Sequence, residues 1–267
     1  MKFAILKLAV FTFILILAYG FYLYSTQEDL LFHPKYLQKD FKFELPSDSE
    51  EINLLTEDNE TLNSLLVKIE NSKGLVFFLH GNSGSIADWT NDYKFYQDLG
   101  YDYLVTDYRS FGKSTGIIEN EEQVLNDALF VFDNIIEKYE HKEIIIIGYS
   151  FGTSIAAYIA SERKSHKLVL LAPFYSLKEL KSQIYPLFPS FLLKYNFETF
   201  KYLDVVEEPI LIFHGEEDNL IGLESSLKLK KHLKKQDRFV ILKNQGHIGI
   251  TSNSEYLIKM KQELDSY

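Results

Sequence analysis

Ser150 stands in Gly148-Tyr149-Ser150-Phe151-Gly152, after four consecutive isoleucines at 144–147 and before a run that includes Ala156, Ala157 and Ala160. The isoleucines read as a strand buried on both faces, and residues 155–161 as a helix, so Ser150 falls in the turn between them. A serine on such a tight turn has a strained backbone, and a side chain at either flanking glycine would collide with the neighbouring strand or helix. The strain presents the hydroxyl at the top of a sheet. A serine hydroxyl is a poor nucleophile at neutral pH, so it needs a base within hydrogen-bond reach and a third group to orient that base. His247 follows an expected strand at 239–242, and Asp218 follows another at 209–213. In a parallel sheet both loops leave their strands on the side where Ser150 sits. The three residue types then support acyl transfer through a covalent serine intermediate.

Other candidates have simpler roles. His232 lies among lysines, His141 and His166 sit in short polar turns, and His80 and His214 each precede a glycine at a strand end, where they would stabilise a turn. Glu216 and Glu217 are the rivals of Asp218. The developing oxyanion needs two donors: the backbone N–H of Phe151, directly after the nucleophile, and that of Asn82 in His80-Gly81-Asn82-Ser83-Gly84, whose glycines allow close approach. Asp107 and Arg109 lie in a glycine-rich segment, 107–116, that reads as a structural corner.

The elements that must position these residues begin with antiparallel strands expected at 41–45, 52–56 and 62–69. From Leu75 the pattern alternates strand and helix, the mark of a parallel sheet: strands at 75–79, 101–106, 144–147, 167–171, 209–213 and 239–242, with helices at 88–99, 121–140, 155–161, 223–235 and 253–264. Residues 174–206 interrupt the alternation with Pro186, Pro189 and many large apolar residues, among them Tyr185, Leu187, Phe188, Phe191, Tyr195 and Phe197. This insertion is expected to form a small lid over the catalytic face, packed mainly by its own aromatics, some of which line a substrate pocket.

The N-terminus is a separate unit. After Lys2 and Lys7 there is no charge until Glu28, and the apolar run reaches the roughly 20 residues that cross a bilayer. Tyr19, Phe21, Tyr22 and Tyr24 cluster at its far end as an interfacial belt. An uncleaved anchor over 1–26 is the preferred reading, single-pass, with the N-terminus cytoplasmic and the catalytic domain opposite. The alternative is secretion after signal cleavage near Ala18 and Gly20. Residues 27–267 form the catalytic domain. The net charge of −10 excludes a basic nucleic-acid surface, and with no cysteine there is no disulfide or thiol nucleophile. No metal or organic cofactor is implied, because neither a ligand cluster nor a phosphate-binding loop is present in the sequence.

The motif set (His80-Gly81-Asn82-Ser83-Gly84, Asp107 through Gly116, Gly148-Tyr149-Ser150-Phe151-Gly152, His214-Gly215 with Asp218, and Gly246-His247) resembles the α/β-hydrolases. Within them it is similar to the Bem46-like, ABHD13/ABHD17-type membrane-anchored serine hydrolases, as is Leu30-Leu31-Phe32-His33-Pro34 after the anchor. The resemblance implies an α/β-hydrolase fold, with a mostly parallel central sheet flanked by helices, a small helical lid and a transmembrane helix. It also implies hydrolysis of carboxylic esters or thioesters, with a small-molecule or lipid-like acyl substrate. Ile221-Gly222 and Ile248-Gly249 depart from the family's usual residues at those places and bear on specificity. A peptidase or amidase on the same triad, or a silent membrane-tethered binding module, is the alternative.

Overall fold

In the computed structural model, which describes residues 2–186 and 188–265, the apolar N-terminal run is one helix, α1 (Lys2–Ser25), with no residue buried. It is long and apolar enough to cross a membrane; a signal sequence has the same character. Leu187 of the expected lid, Met1 and the last two residues lie outside the described residues. A five-residue helix, α2 (Gln27–Leu31), follows, and then β1 (His33–Pro34), which pairs in parallel with β5 (Ser83–Gly84). The strand expected at 41–45 does not form. Phe43 and Leu45 do pack against the core, so the alternation there records an extended chain burying one face without a partner strand.

Between β1 and β5 come β2 (Ser49–Leu55), β3 (Thr61–Val67) and β4 (Gly74–Leu79). After β5 the helices and strands alternate: α3 (Tyr93–Asp98), β6 (Tyr101–Thr106), α4 (Glu121–Ile136), β7 (Glu143–Tyr149), α5 (Gly152–Glu162) and β8 (Lys167–Leu171). The inserted segment carries α6 (Leu177–Ile184) and α7 (Thr199–Leu203), and the chain ends with β9 (Ile210–Gly215), α8 (Leu223–Leu229), β10 (Arg238–Leu242) and α9 (Ser254–Asp265). The helix expected at 88–99 is shorter, because two 3-10 turns, Ile86–Asp88 and Thr90–Asp92, occupy its start. Thr90, Asn91 and Asp92 favour such local turns over the helical ladder. Likewise α4 and α8 each finish in a 3-10 turn rather than continuing to 140 and 235.

The central sheet has eight strands in the order β10-β9-β8-β7-β4-β6-β3-β2, antiparallel at β2–β3 and β3–β6 and parallel elsewhere. The four isoleucines of β7 show why. Ile144 and Ile146 enter one apolar cluster with α4 and α5, whereas Ile145 and Ile147 enter a second, on the other face, with α3 and α9. Strand side chains alternate between faces, so a strand covered by helices on both sides must be apolar throughout. Each such side chain taken from water contributes about 1.5–3 kcal/mol. The loops after β4, β7, β9 and β10 consequently emerge from one edge of a rigid slab.

Candidate active site

Ser150 has φ +52°, in the left-handed region that a residue with a side chain rarely adopts. The flanking glycines make that turn possible by close approach. A Cβ at Gly148 would lie 2.4 Å from the carbonyl oxygen of Gly152, and a Cβ at Gly152 would lie 2.0 Å from that of Leu79 in β4. The turn is held by the Ser150 N–H donating to the Leu171 carbonyl at 2.8 Å and by the Thr153 hydroxyl donating to the Ser150 carbonyl.

The loops after β9 and β10 bring two side chains to this serine. His247 Nε2 is 2.9 Å from Ser150 Oγ, and His247 Nδ1 is 2.7 Å from Asp218 Oδ2. With Nδ1–H donating to the carboxylate, Nε2 is left as acceptor for the serine proton. Asp218 Oδ1 accepts from the N–H groups of Leu220 and Ile221, both at 2.9 Å. Burial pushes the Asp218 carboxyl up, but the His247 hydrogen bond and charge, the Ile221 N–H and His214 outweigh it and hold the group below its ordinary value. The Tyr149 hydroxyl donates to the His247 carbonyl, which fixes the loop.

The rivals lie elsewhere. Glu216 and Glu217 are exposed. His214 is fully buried, its Nε2–H donating to the Ile221 carbonyl at 2.8 Å, and burial lowers its pKa. His166 accepts from the Ile144 N–H, His232 pairs with Asp204, and His141 is exposed beside Glu140. Arg109 holds Asp127 and Asp58, and a Cβ at Gly112 would strike the buried Asp107 carboxylate, so 107–116 is a structural corner.

The 80–84 loop runs beside the serine: a Cβ at Gly81 would lie 3.6 Å from that of Ser150. The backbone amides of Asn82 and Phe151 donate no hydrogen bond among the described residues. His80 Nδ1–H donates to the Gly81 carbonyl at 2.7 Å, which orients the Gly81–Asn82 peptide. From the other side the Asn82 amide side chain donates to the Leu31 carbonyl, and the His33 N–H to the Asn82 carbonyl.

Around these groups lies a cavity of about 780 Å³, with Ser150, Phe151, Asn82 and His247 in its wall. The rest is mainly apolar: Leu30, Leu31 and Phe32 from the N-terminal junction, Trp89, and Phe174, Leu177, Leu180, Tyr185 and Phe188 from the lid segment. Tyr195 and Phe197 are instead fully buried in the core. The sequence marked the junction at 30–34 only by its family likeness, and it did not single out two further contributors to this wall, Asp92 and Lys181. They are brought here by tertiary proximity, and no spacing pattern announces them. Among the described residues, no group of three or more His, Asp or Glu side chains could hold a metal ion.

Fold and motif together define the α/β-hydrolase fold. The profile of the alpha/beta hydrolase fold matches residues 74–202. The chain is 29% identical over 266 residues to an uncharacterized protein of Acanthamoeba polyphaga mimivirus, a match covering 89% of each. It is 30% identical over 185 residues to the lysophosphatidylserine lipase ABHD12 of Macaca fascicularis, covering 60% of this chain and 46% of the lipase, just under half of that relative's length. Among solved structures, the Pyrococcus furiosus esterase PF2001 shares the fold, with a TM-score of 0.68, 21% identity, and coverage of 89% of this chain and 98% of that one. The chain thus has the α/β-hydrolase fold, is related to a lipase over part of its length and is similar in fold to an esterase.

Proposed function

We propose that the protein is a membrane-anchored serine hydrolase that cleaves carboxylic ester or thioester bonds of lipid-like acyl substrates. The observation that carries this reading is the hydrogen-bonded chain Ser150–His247–Asp218, with contacts of 2.9 and 2.7 Å, at the wall of an apolar cavity. Ser150 Oγ attacks the acyl carbonyl while His247 Nε2 takes its proton. Asp218 keeps the imidazole oriented and stabilises the imidazolium. The Phe151 and Asn82 amides receive the oxyanion. His247 then protonates the leaving group, and the acyl-enzyme is hydrolysed by a water that His247 deprotonates. An apolar wall suits an acyl chain better than a peptide backbone, whose polar groups would go unpaired there. The anchor is α1, read as single-pass with the catalytic domain on the side opposite the cytoplasm.

The test is labelling of the purified protein with a fluorophosphonate, followed by hydrolysis of p-nitrophenyl esters of increasing chain length. Labelling is expected in the wild type and absent in Ser150→Ala. Loss of one triad member should reduce turnover by about 10³-fold or more. Folded wild-type protein that resists the probe would overturn the reading in favour of a binding module.

A further inference from the structure

The lid touches the N-terminal helix well inside its apolar run. A Cβ at Gly20 would lie 3.7 Å from Leu192 Cδ1, so the turn Ser190–Leu192 packs against α1 five residues before its end at Ser25. At 1.5 Å per residue, that is about 7 Å from the end of the helix. Tyr19, Phe21, Tyr22 and Tyr24, the aromatic cluster of α1, occupy the same level. Phe191, at the middle of the turn, is 86% exposed and takes no part in the cavity wall.

A set of polar contacts holds this arrangement. Gln27 Nε2 donates to the Leu192 carbonyl at 2.8 Å, and the Lys194 N–H donates to Gln27 Oε1 at 2.9 Å. Lys194 Nζ lies 3.0 Å from both carboxylate oxygens of Glu28, whose Oε1 also accepts from the Tyr195 hydroxyl at 2.8 Å. The same ammonium sits 4.6 Å from the centroid of the Tyr24 ring. Immediately beyond, Leu30, Leu31 and Phe32 form part of the cavity wall. The wall of the cavity therefore begins with Gln27, two residues after the end of α1.

We infer that the lid turn Ser190–Leu192 is a membrane-contact surface, with Phe191 and Leu192 seated in the interfacial layer of the bilayer that α1 crosses. The inference rests on the anchor and acyl-substrate reading above and deepens it. An exposed phenylalanine bordered by water is ordinary, but one level with the aromatic belt of a spanning helix is surrounded by headgroups and acyl chains. The clasp at Gln27 and Glu28 fixes the turn at that depth. The lid side of the cavity then faces the leaflet, and an acyl chain passes from lipid to the Ser150 region without crossing bulk water.

The absence of cysteine makes the test direct, since Phe191→Cys supplies a unique thiol on the full-length protein. A nitroxide there, in phosphatidylcholine vesicles, is compared with one at Ile258→Cys, a 59% exposed site on α9. The ratio of collision with oxygen to collision with a water-soluble nickel chelate should be several-fold higher at 191. Equal nickel access at both sites would overturn the inference. In parallel, Phe191→Asp should slow hydrolysis of a long-chain ester presented in vesicles by about tenfold, with p-nitrophenyl acetate in solution unaffected. An unchanged vesicle rate would overturn the lateral route. If the wild type hydrolyses neither ester, the enzyme reading fails, while the nitroxide comparison still decides the membrane contact.

Discussion

Asp218 and Asp92 are both removed from water near the same cavity, yet their environments act in opposite directions. Asp218 has His247 and two backbone N–H groups, and these overcome its burial. Among the described residues Asp92 has only Thr251 to offset burial and its Oδ2 has no hydrogen-bond partner, and burial pushes the carboxyl up to about 6. Between roughly pH 4 and 6 the folded protein therefore holds a proton on Asp92 that the unfolded chain has released. Stability falls as pH rises through that window, at up to about 1.4 kcal/mol per pH unit from this group, and the loss persists at neutral pH. Asp92→Asn removes the ionisation. It should melt above the wild type at pH 7–8, by roughly 2–4 °C for each kcal/mol recovered, and the two should converge below about pH 4. Identical melting at every pH would refute the account. Ser150, Asp218 and His247 were legible as a group because their turns follow strands that run in one direction. Asp92 was not: its cost arises from what surrounds it in space.

The lid segment is fixed to the domain by its neighbours more than by its own helices. Glu121, at the start of α4, accepts from the N–H groups of Asn196 and Phe197, and Glu179 of α6 accepts from Ser225 and Lys228 of α8. Within the lid, the ammonium of Lys181 donates to the Phe188 carbonyl at 2.7 Å and to Ser190 Oγ at 3.0 Å, folding the middle of the segment back over α6. A hydrogen bond from a charged donor contributes about 1.5–3 kcal/mol. Lys181→Met keeps the apolar stem and removes both bonds. KM for long-chain p-nitrophenyl esters should rise by about tenfold, with kcat for the acetate ester unchanged. An unaltered chain-length profile would show that this turn forms no acyl wall. The alternation of strand and helix from Leu75 onward was readable because each parallel strand is apolar on both faces and each helix on one. The strand expected at 41–45 failed because Phe43 and Leu45 bury side chains, which sets the alternation, while no neighbouring strand accepts the backbone. The pairing of β1 with β5 joins residues 50 apart through two positions each, too short to leave a periodic trace.

At the scale of the whole molecule, α1 buries no residue of its own, whereas α2 opens on the buried Gln27 and is followed by the buried Phe32. Gln27 is 2% exposed and Phe32 is 6% exposed, with the Phe32 ring edge-on to Phe151 at 5.3 Å and to Tyr195 at 5.6 Å. Phe151 is the residue whose amide we assign to the oxyanion, so the junction supports both the lid and the nucleophile turn. The boundary between anchor and catalytic domain therefore falls, we propose, between residues 26 and 27. Two truncations separate the roles. Removal of residues 2–24 takes away a helix with no buried residue, together with its contacts to Leu192 and Lys194; the remaining domain should melt within a few degrees of the full chain and react with a fluorophosphonate at a similar rate. Removal through Phe32 also strips the cavity wall, the Leu31 carbonyl that holds Asn82, and the packing beneath Phe151. A buried phenylalanine alone costs about 3–5 kcal/mol when lost. That shorter protein should melt far lower, and whatever fraction stays folded should label slowly. If both truncations behaved alike, α2 would belong to the anchor, and the cavity would close without it.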